Sequence, residues 1–562
     1  LGRAKPGEKI DAPTRKPPDI PKLRSRPKQE GRKKNYARVV ATSWDSEHKL
    51  LQILDEDEPG KIGKVHYAET GVNDLYSSTL ELAIREIGLP LTLGLHEILC
   101  TDELDYTPSY IIIMPDLLLD VTDVAEFTGD GHDPGAFNIL KQFLPSKSTP
   151  SLLIGKVSNY FLDEMIRDEQ LTFKEAFARS FKLFPMEFVR LDDQELSGMM
   201  AVLERHFQTI RNVINDRFPV QGIKREQCTI EPTYYSPSFG LKGRLDLFYQ
   251  HEEEKKASII ELKSSRPFKP NSYGLSSSHY HQTLLYDLLI KSVYGDRVFR
   301  LNFILYSSEA ADPLRHAVSV DYIQKETIQN RNQLVLLQYR LVNLARDKNR
   351  DILAEIDPER FPSIKGFIRQ HMEGFRAVYT TLTITEKKYL QCFTSFIARE
   401  HMLARIGNET GDGTGGLAGL WLDSLETKET GYQILTRLEL ISVVRQEQQT
   451  LLTFHRSENT NKLANFRAGD IAILYPHDIQ ADFDPTKFQL HRAVILELSP
   501  AQIQIRLRNN QVNLSQLQKV RYWNVEHDLL DSSFRSMYQS LWALMNTENS
   551  WRQIILGQAC PP

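Results

Sequence analysis

Residues 241–263 read LKGRLDLFYQHEEEKKASIIELK, and the rest of the chain is organised around them. Two apolar runs, 241–250 and 257–263, flank a charged turn, the pattern of two neighbouring strands. Asp246 falls on the first and Glu261 and Lys263 on the second. Side chains alternate along a strand, so Glu261 and Lys263 share a face. Leu262 points the other way, with a backbone carbonyl still able to turn toward a cation. A helix is expected over HYHQTLLYDLLIKSVYG, where Gln282 and Tyr286, four residues apart, lie on one side.

These groups suit one kind of chemistry. Mg²⁺ takes hard oxygen ligands and keeps several waters, so the carboxylates of Asp246 and Glu261 with the Leu262 carbonyl suffice to hold Mg²⁺ or Mn²⁺. Such an ion lowers the pKa of a bound water and offsets charge on a phosphate. Lys263 adds a fixed positive charge that orients the water or stabilises a pentavalent phosphorus. Gln282 and Tyr286 are expected to position the scissile strand. A lone E-x-K is common, and its ordinary reading is an exposed ion pair. The upstream Asp246, the strand–strand–helix order and the Q-x-x-x-Y spacing favour catalysis.

Outward from this segment, CTIEPTYYS before it and VFRLNFILYSS after it read as strands, with long helical stretches at 151–168, 197–218 and 323–347. The layout is α/β. Residues 36–105 read as a small β-rich region, preceded by a basic, Pro-rich tail (1–35) too poor in apolar residues to fold alone. From 407 to 528 the pattern becomes all-β, with evenly spaced strands such as TLLTFHR, DIAILYP and QIQIRLR, which suggests a small barrel. Arg506 and Arg508, with Phe466 and Tyr475, fit either a single-strand-binding surface or ordinary barrel core and surface charge. Trp421 and Trp523 are expected in the barrel core. Helical text resumes over 529–562.

Composition excludes several classes. No apolar run approaches the ~20 residues of a membrane-spanning helix, and Pro, Lys and Arg fill the first residues where a secretory signal would be apolar. The four cysteines, Cys100, Cys228, Cys392 and Cys560, form no C-x-x-C pair, so neither a zinc site nor a disulfide framework is suggested, and a reduced intracellular compartment fits best. The net charge of −4 names no partner. Arg244, beside Asp246, reads equally as a phosphate contact or a structural ion pair, and His281 as a DNA contact or polar surface.

In the order G-x-x-D, E-x-K, Q-x-x-x-Y the chain resembles the RecB-type branch of the PD-(D/E)xK nucleases, with Leu245 where the name-giving proline would stand. SYIIIMPDLLLDVTDVAEF, SLLIGKVSNYFLDEMI, FRAGDIAILYP and the segment from Trp523 to Asp528 extend the resemblance to the nuclease and barrel regions of DNA replication nuclease–helicases. The resemblance implies a restriction-endonuclease-like core with helical insertions over 106–406, a barrel over 407–528 and a helical stalk over 529–562 leading toward a superfamily 1 motor absent here. It implies a metal-dependent nuclease acting on single-stranded or flap DNA, within an ATP-dependent nuclease–helicase for replication or repair. Expected partners are DNA and single-strand-binding or repair proteins, in the cytoplasm or nucleoid of a bacterium or the nucleus of a eukaryote. A weakly active fold kept as a DNA clamp is the alternative. Asn159 stands where relatives carry a metal-binding histidine. With Cys392 alone after the core no iron–sulfur cluster is expected, and with no G-x-x-x-x-G-K-[ST] there is no ATP site in this chain.

Overall fold

The computed structural model describes residues 32–67, 74–127, 134–145, 149–251, 254–295, 299–347, 350–362, 364–407, 415–446, 449–458, 460–461, 463–477, 484–508, 514–529 and 532–560. Residues 1–31 of the expected tail lie outside them. Residues 32–35 do not belong to a tail: they begin β1 (Arg32–Asp45), where Arg32, Lys33 and Lys34 pair with Cys100, Leu99 and Ile98.

Alternating apolar residues build the first unit. Ala37, Val39 and Ala41 of β1 point inward and are essentially buried. β2 (Leu50–Asp55) and β3 (Ile62–His66) follow, then a helix (Asp74–Ile87), β4 (Leu91–Asp102), β5 (Asp105–Thr107) and β6 (Tyr110–Ile113). Because β1 pairs with both β2 and β4, five strands close in the order β1-β2-β3-β5-β4, and β3 runs parallel to β5. The β-rich region is thus a sheet closed on itself by the β1–β4 pairing, with β6 also paired to β4.

The middle of the chain is a split sheet. β7 (Leu119–Asp120), β10 (Leu241–Arg244) and β9 (Thr233–Ser236) form a three-stranded piece in the order β7-β10-β9. β8 (Cys228–Ile230), β11 (Leu247–His251), β12 (Lys256–Lys263), β13 (Phe299–Tyr306) and β14 (Leu314–His316) form a five-stranded piece in the order β14-β13-β12-β11-β8. β12 and β13 are parallel, joined by the helix Ser277–Tyr294, hereafter the site helix. Ala257 and Ile259 face one core with the site helix, whereas Ile260 and Leu262 face a second core under the helices Pro150–Arg167 and Asp193–Asn212. The apolar patterns of 228–236 and 241–250 each predict a single strand; each is broken in two, at Glu231–Pro232 and at Leu245–Asp246.

A buried cation fixes the three-stranded piece. Arg331, on the helix Asp321–Asn343, is fully buried and donates to the carbonyls of Ile113, Met114 (2.7 Å), Leu117 (2.8 Å) and Gly240 (3.2 Å). Desolvation pulls its guanidinium down to about 9. Such a group is tolerable only because carbonyls satisfy its donors. Asn332 beside it bonds the Ile111 carbonyl (2.7 Å) and the Ile113 N–H (3.0 Å).

The second barrel closes as β15-β16-β19-β18-β17-β20, from β15 (Ile434–Gln446), β16 (Gln449–His455), β17 (Ile471–Pro476), β18 (His491–Leu498), β19 (Gln502–Leu507) and β20 (Tyr522–His527). Trp523 and Phe454 are buried in its core. Trp421 is not: it packs with Leu118 and Tyr235 at the junction with the split sheet, its indole N–H on Asp116 (2.9 Å). Asp116 also receives Arg38 of the first barrel (2.5 Å), so the Pro115–Asp116 turn ties three units together. The final region folds back onto the centre, with Tyr538 and Trp542 of the helix Ser532–Met545 on Phe143 and Phe375.

Gly240 has a positive φ of 62°, and a Cβ there would overlap the Arg331 guanidinium. Gly240→Ala is expected to lower unfolding free energy by about 2–4 kcal/mol, combining overpacking with left-handed strain. Gly469→Ala, with positive φ but open space around the added Cβ, loses only the strain. Urea denaturation of both variants checks the difference.

Candidate active site

The antiparallel pairing of β11 with β12 ends at Leu247↔Ile260. One step earlier the chain turns away, because β10 pairs with β9 and β7 instead. Asp246 sits in the resulting fork. Its Oδ2 accepts the Leu262 N–H at 2.8 Å, taking the place of the missing strand. N–H and C=O of one residue leave an extended strand on the same edge, so the Leu262 carbonyl faces the same gap.

Glu261 and Lys263 project from β12 on the site-helix side. Lys263 Nζ donates to Glu261 Oε1 (2.9 Å) and to Gln282 Oε1 (2.8 Å), using two of its three N–H bonds. Gln282 Nε2 donates to the same Glu261 oxygen (2.8 Å) and to Tyr286 Oη (3.1 Å), and the Tyr286 hydroxyl donates to the Arg244 carbonyl (2.8 Å). The structure therefore joins Asp246, Glu261, Lys263, Gln282 and Tyr286 in one network. Gln282 and Tyr286 are both buried, at 7% and 3% exposure. In this position they tie the site helix to β12 and to the Arg244 carbonyl.

Two buried carboxylates and one ammonium set the electrostatics of the fork. Burial and the Asp246 charge push Glu261 up to about 7, against Lys263. Burial likewise raises Asp246 despite Lys263 and the Leu262 N–H. Burial pulls Lys263 down, but the charges of Glu261 and Asp246 outweigh it and the ammonium is held above its ordinary value. Glu261 Oε2 is buried with no hydrogen-bond partner. An orphaned carboxylate oxygen beside a second carboxylate and an open carbonyl fits a hard divalent ion. Among the described residues no three His, Cys, Asp or Glu side chains are grouped as a metal site.

Asn159 is less directly placed. It is half-buried on the Pro150–Arg167 helix, which covers the opposite face of the sheet, and makes no hydrogen bond to Asp246 or Glu261. His281 meets Thr327 Oγ1 (3.1 Å). Its neighbour His279 is the histidine at the site: its Nδ1 lies 3.1 Å from Tyr306 Oη, and Tyr306 pairs with Lys263 across the strands. Burial and the Lys263 charge lower His279 to about 4, so it is neutral.

Arg244 is exposed, with its guanidinium 3.5 Å from Glu231. Glu231 escaped sequence reading, and its only signal was the Glu-Pro break in a strand. It stands at a positive φ of 47°, its N–H bonded to the Asp246 carbonyl (3.0 Å), and burial raises its carboxyl with Arg244 opposing. Thr233, the register partner of Arg244, accepts the Leu490 N–H of the second barrel (2.9 Å). Two residues on, the Arg492 carbonyl accepts the Arg508 N–H (2.8 Å), and Arg492 pairs with Asp528 (2.6 Å). Burial and the charges of Arg492 and Arg244 lower the Arg508 guanidinium. The barrel edge therefore brings Arg508, with Arg492 beside it, within electrostatic reach of Arg244. Arg506 lies further round the barrel wall, between Leu451 and Val494. Phe466 and Tyr475 are buried, with Phe466 stacked on His527 (4.1 Å).

Neither a protein-family model nor a curated protein sequence matches this chain.

In metal-free protein the raised Glu261 stabilises the folded state fully below its unfolded value near 4.5, and that contribution is lost as pH rises through about 7. Wild-type thermal stability is therefore expected to fall across this window relative to Glu261→Gln, whose neutral amide cannot titrate. Melting curves in chelator at either end of the window check this; parallel pH profiles would contradict it.

Proposed function

We propose that the chain is a divalent-metal-dependent nuclease with a PD-(D/E)xK-type core, acting on DNA with single-stranded character. The observation that carries the reading is the fork, where two buried carboxylates, an orphaned oxygen and a lysine meet at a strand edge. Asp246, Glu261 and the Leu262 carbonyl would hold Mg²⁺ or Mn²⁺. When bound, the ion supplies an activated water and charge stabilisation at phosphorus. Lys263 directs its third N–H at the attacking water or a phosphate oxygen. Gln282 fixes the Lys263 ammonium and the Glu261 carboxylate together, and Tyr286 locks them to the strand carrying Arg244.

Arg244, Arg492 and Arg508 gather positive charge where the split sheet meets the barrel, with Glu231 and Asp528 as counter-charges. This supports a phosphodiester backbone entering at that junction. Place in a nuclease–helicase of replication or repair, and association with single-strand-binding proteins, rest on the motif resemblance. No described helix is long and apolar enough to cross a membrane.

Cleavage of an end-labelled single strand in Mg²⁺ or Mn²⁺ tests the proposal. Wild type cleaves, and Glu261→Ala and Lys263→Ala lose on the order of 100-fold or more in kcat. Strand binding without cleavage under either metal would contradict it and leave a DNA clamp. Arg244→Ala and Arg508→Ala are expected to weaken binding and to reduce the slope of log K against log salt by about 1 each; an unchanged slope would remove them from the path.

A further inference from the structure

Lys263 is followed by a loop, residues 264–276, reading SSRPFKPNSYGLS. Both of its ends lie at the active site. It starts beside Lys263, and at its far end the Ser276 N–H donates to Tyr306 Oη (3.1 Å), the same hydroxyl that meets His279. Its backbone is held from within. The Phe268 N–H bonds Ser276 Oγ (2.7 Å), and Asn271 Oδ1 accepts from Tyr273 (2.9 Å) and Leu275 (3.1 Å). Arg315 bonds the Gly274 carbonyl.

On this fixed frame two aromatic rings face solvent. Phe268 is 70% exposed and Tyr273 42%. Cations lie between and beside them: Lys269 Nζ is 5.3 Å from the Phe268 ring centre, and Arg266 is largely exposed although within 3.3 Å of Glu309. Folding gains nothing by displaying a phenylalanine on a constrained loop, since burying it would be favourable. Aromatics interleaved with cations match what a single strand offers, unstacked bases with phosphates between them. A duplex keeps its base faces stacked and has no ring to give.

We propose that the 264–276 loop is a base-stacking platform for single-stranded DNA, with Phe268 and Tyr273 receiving bases and Arg266 and Lys269 meeting the backbone beside the Lys263 site. The inference rests on the reading of that site as a phosphodiester site and assigns its preference for unpaired strands to this loop. Ordering cost is small because the backbone is already fixed.

The test is made with the full chain in chelator, so that no cleavage intervenes. The probe is a thymidine oligonucleotide carrying a fluorescent adenine analogue whose emission is quenched by stacking. Wild type binds and quenches it. Phe268→Ala and Tyr273→Ala each weaken binding by roughly tenfold and reduce the quench, while Phe268→Trp restores both; a blunt duplex of equal length binds all four proteins alike. Melting temperatures establish that the variants are folded. Unchanged affinity and quench in both alanine variants, or no strand binding by wild type, overturns the platform. Platform binding by a wild type that never cleaves would sink the nuclease reading alone, and cleavage with variant-independent binding would sink the platform alone.

Discussion

Leu262 has an N–H that no strand comes to meet, because β10 leaves the sheet for β9 and β7 at Leu245. A buried donor without a partner costs free energy, and the Asp246 carboxylate supplies that partner at 2.8 Å. This substitution of a side chain for a strand sets the rest. It buries one carboxylate against a second, Glu261, and it leaves the Leu262 carbonyl on the same open edge. Two adjacent buried carboxylates oppose ionisation together, and Lys263 offsets only part of that repulsion.

The surrounding structure keeps the fork open. Arg331, bonding the Gly240 carbonyl and those of Met114 and Leu117, holds the turn before β10 against the strand end at Ile113, so β10 is fixed by a different anchor from β11. On the other face of the fork, Gln282 binds Glu261 and Lys263 at once, and Tyr286 reaches back to Arg244. Packing agrees with this arrangement. Gly243 faces Tyr286 and Leu289 so closely that a Cβ would collide with the Tyr286 ring. The glycine of G-x-x-D is thus a contact requirement for bringing the site helix onto the strand.

Much of this was legible in the residues. Alternation in 257–263 fixed the shared face of Glu261 and Lys263, and helical spacing put Gln282 and Tyr286 on one side. The mixed α/β layout and the small barrel follow from the same periodicities. The break at Leu245–Asp246 was not legible, because the run from Leu241 to Gln250 carries no proline or glycine at the point where it changes sheets. The same holds for Glu231, whose importance arises from a contact between separate strands, and for Arg492, set beside Arg508 by the pairing of β18 with β19. His279 and His281 differ by two residues on a helix, and only the packing decides that one meets Tyr306 and the other Thr327. The first barrel was readable as strands, but its closure depends on β1 pairing at both edges, which periodicity does not encode.

Under the proposed function this fork would hold one divalent cation through Asp246, Glu261 and the Leu262 carbonyl. Anomalous diffraction from a crystal soaked in Mn²⁺ tests it most directly. The expected result is a peak in contact with both carboxylates and that carbonyl, with Glu261 Oε2 among the ligands. A fork that stays empty, with Asp246 and Glu261 unchanged while Mn²⁺ settles on other groups, would contradict it.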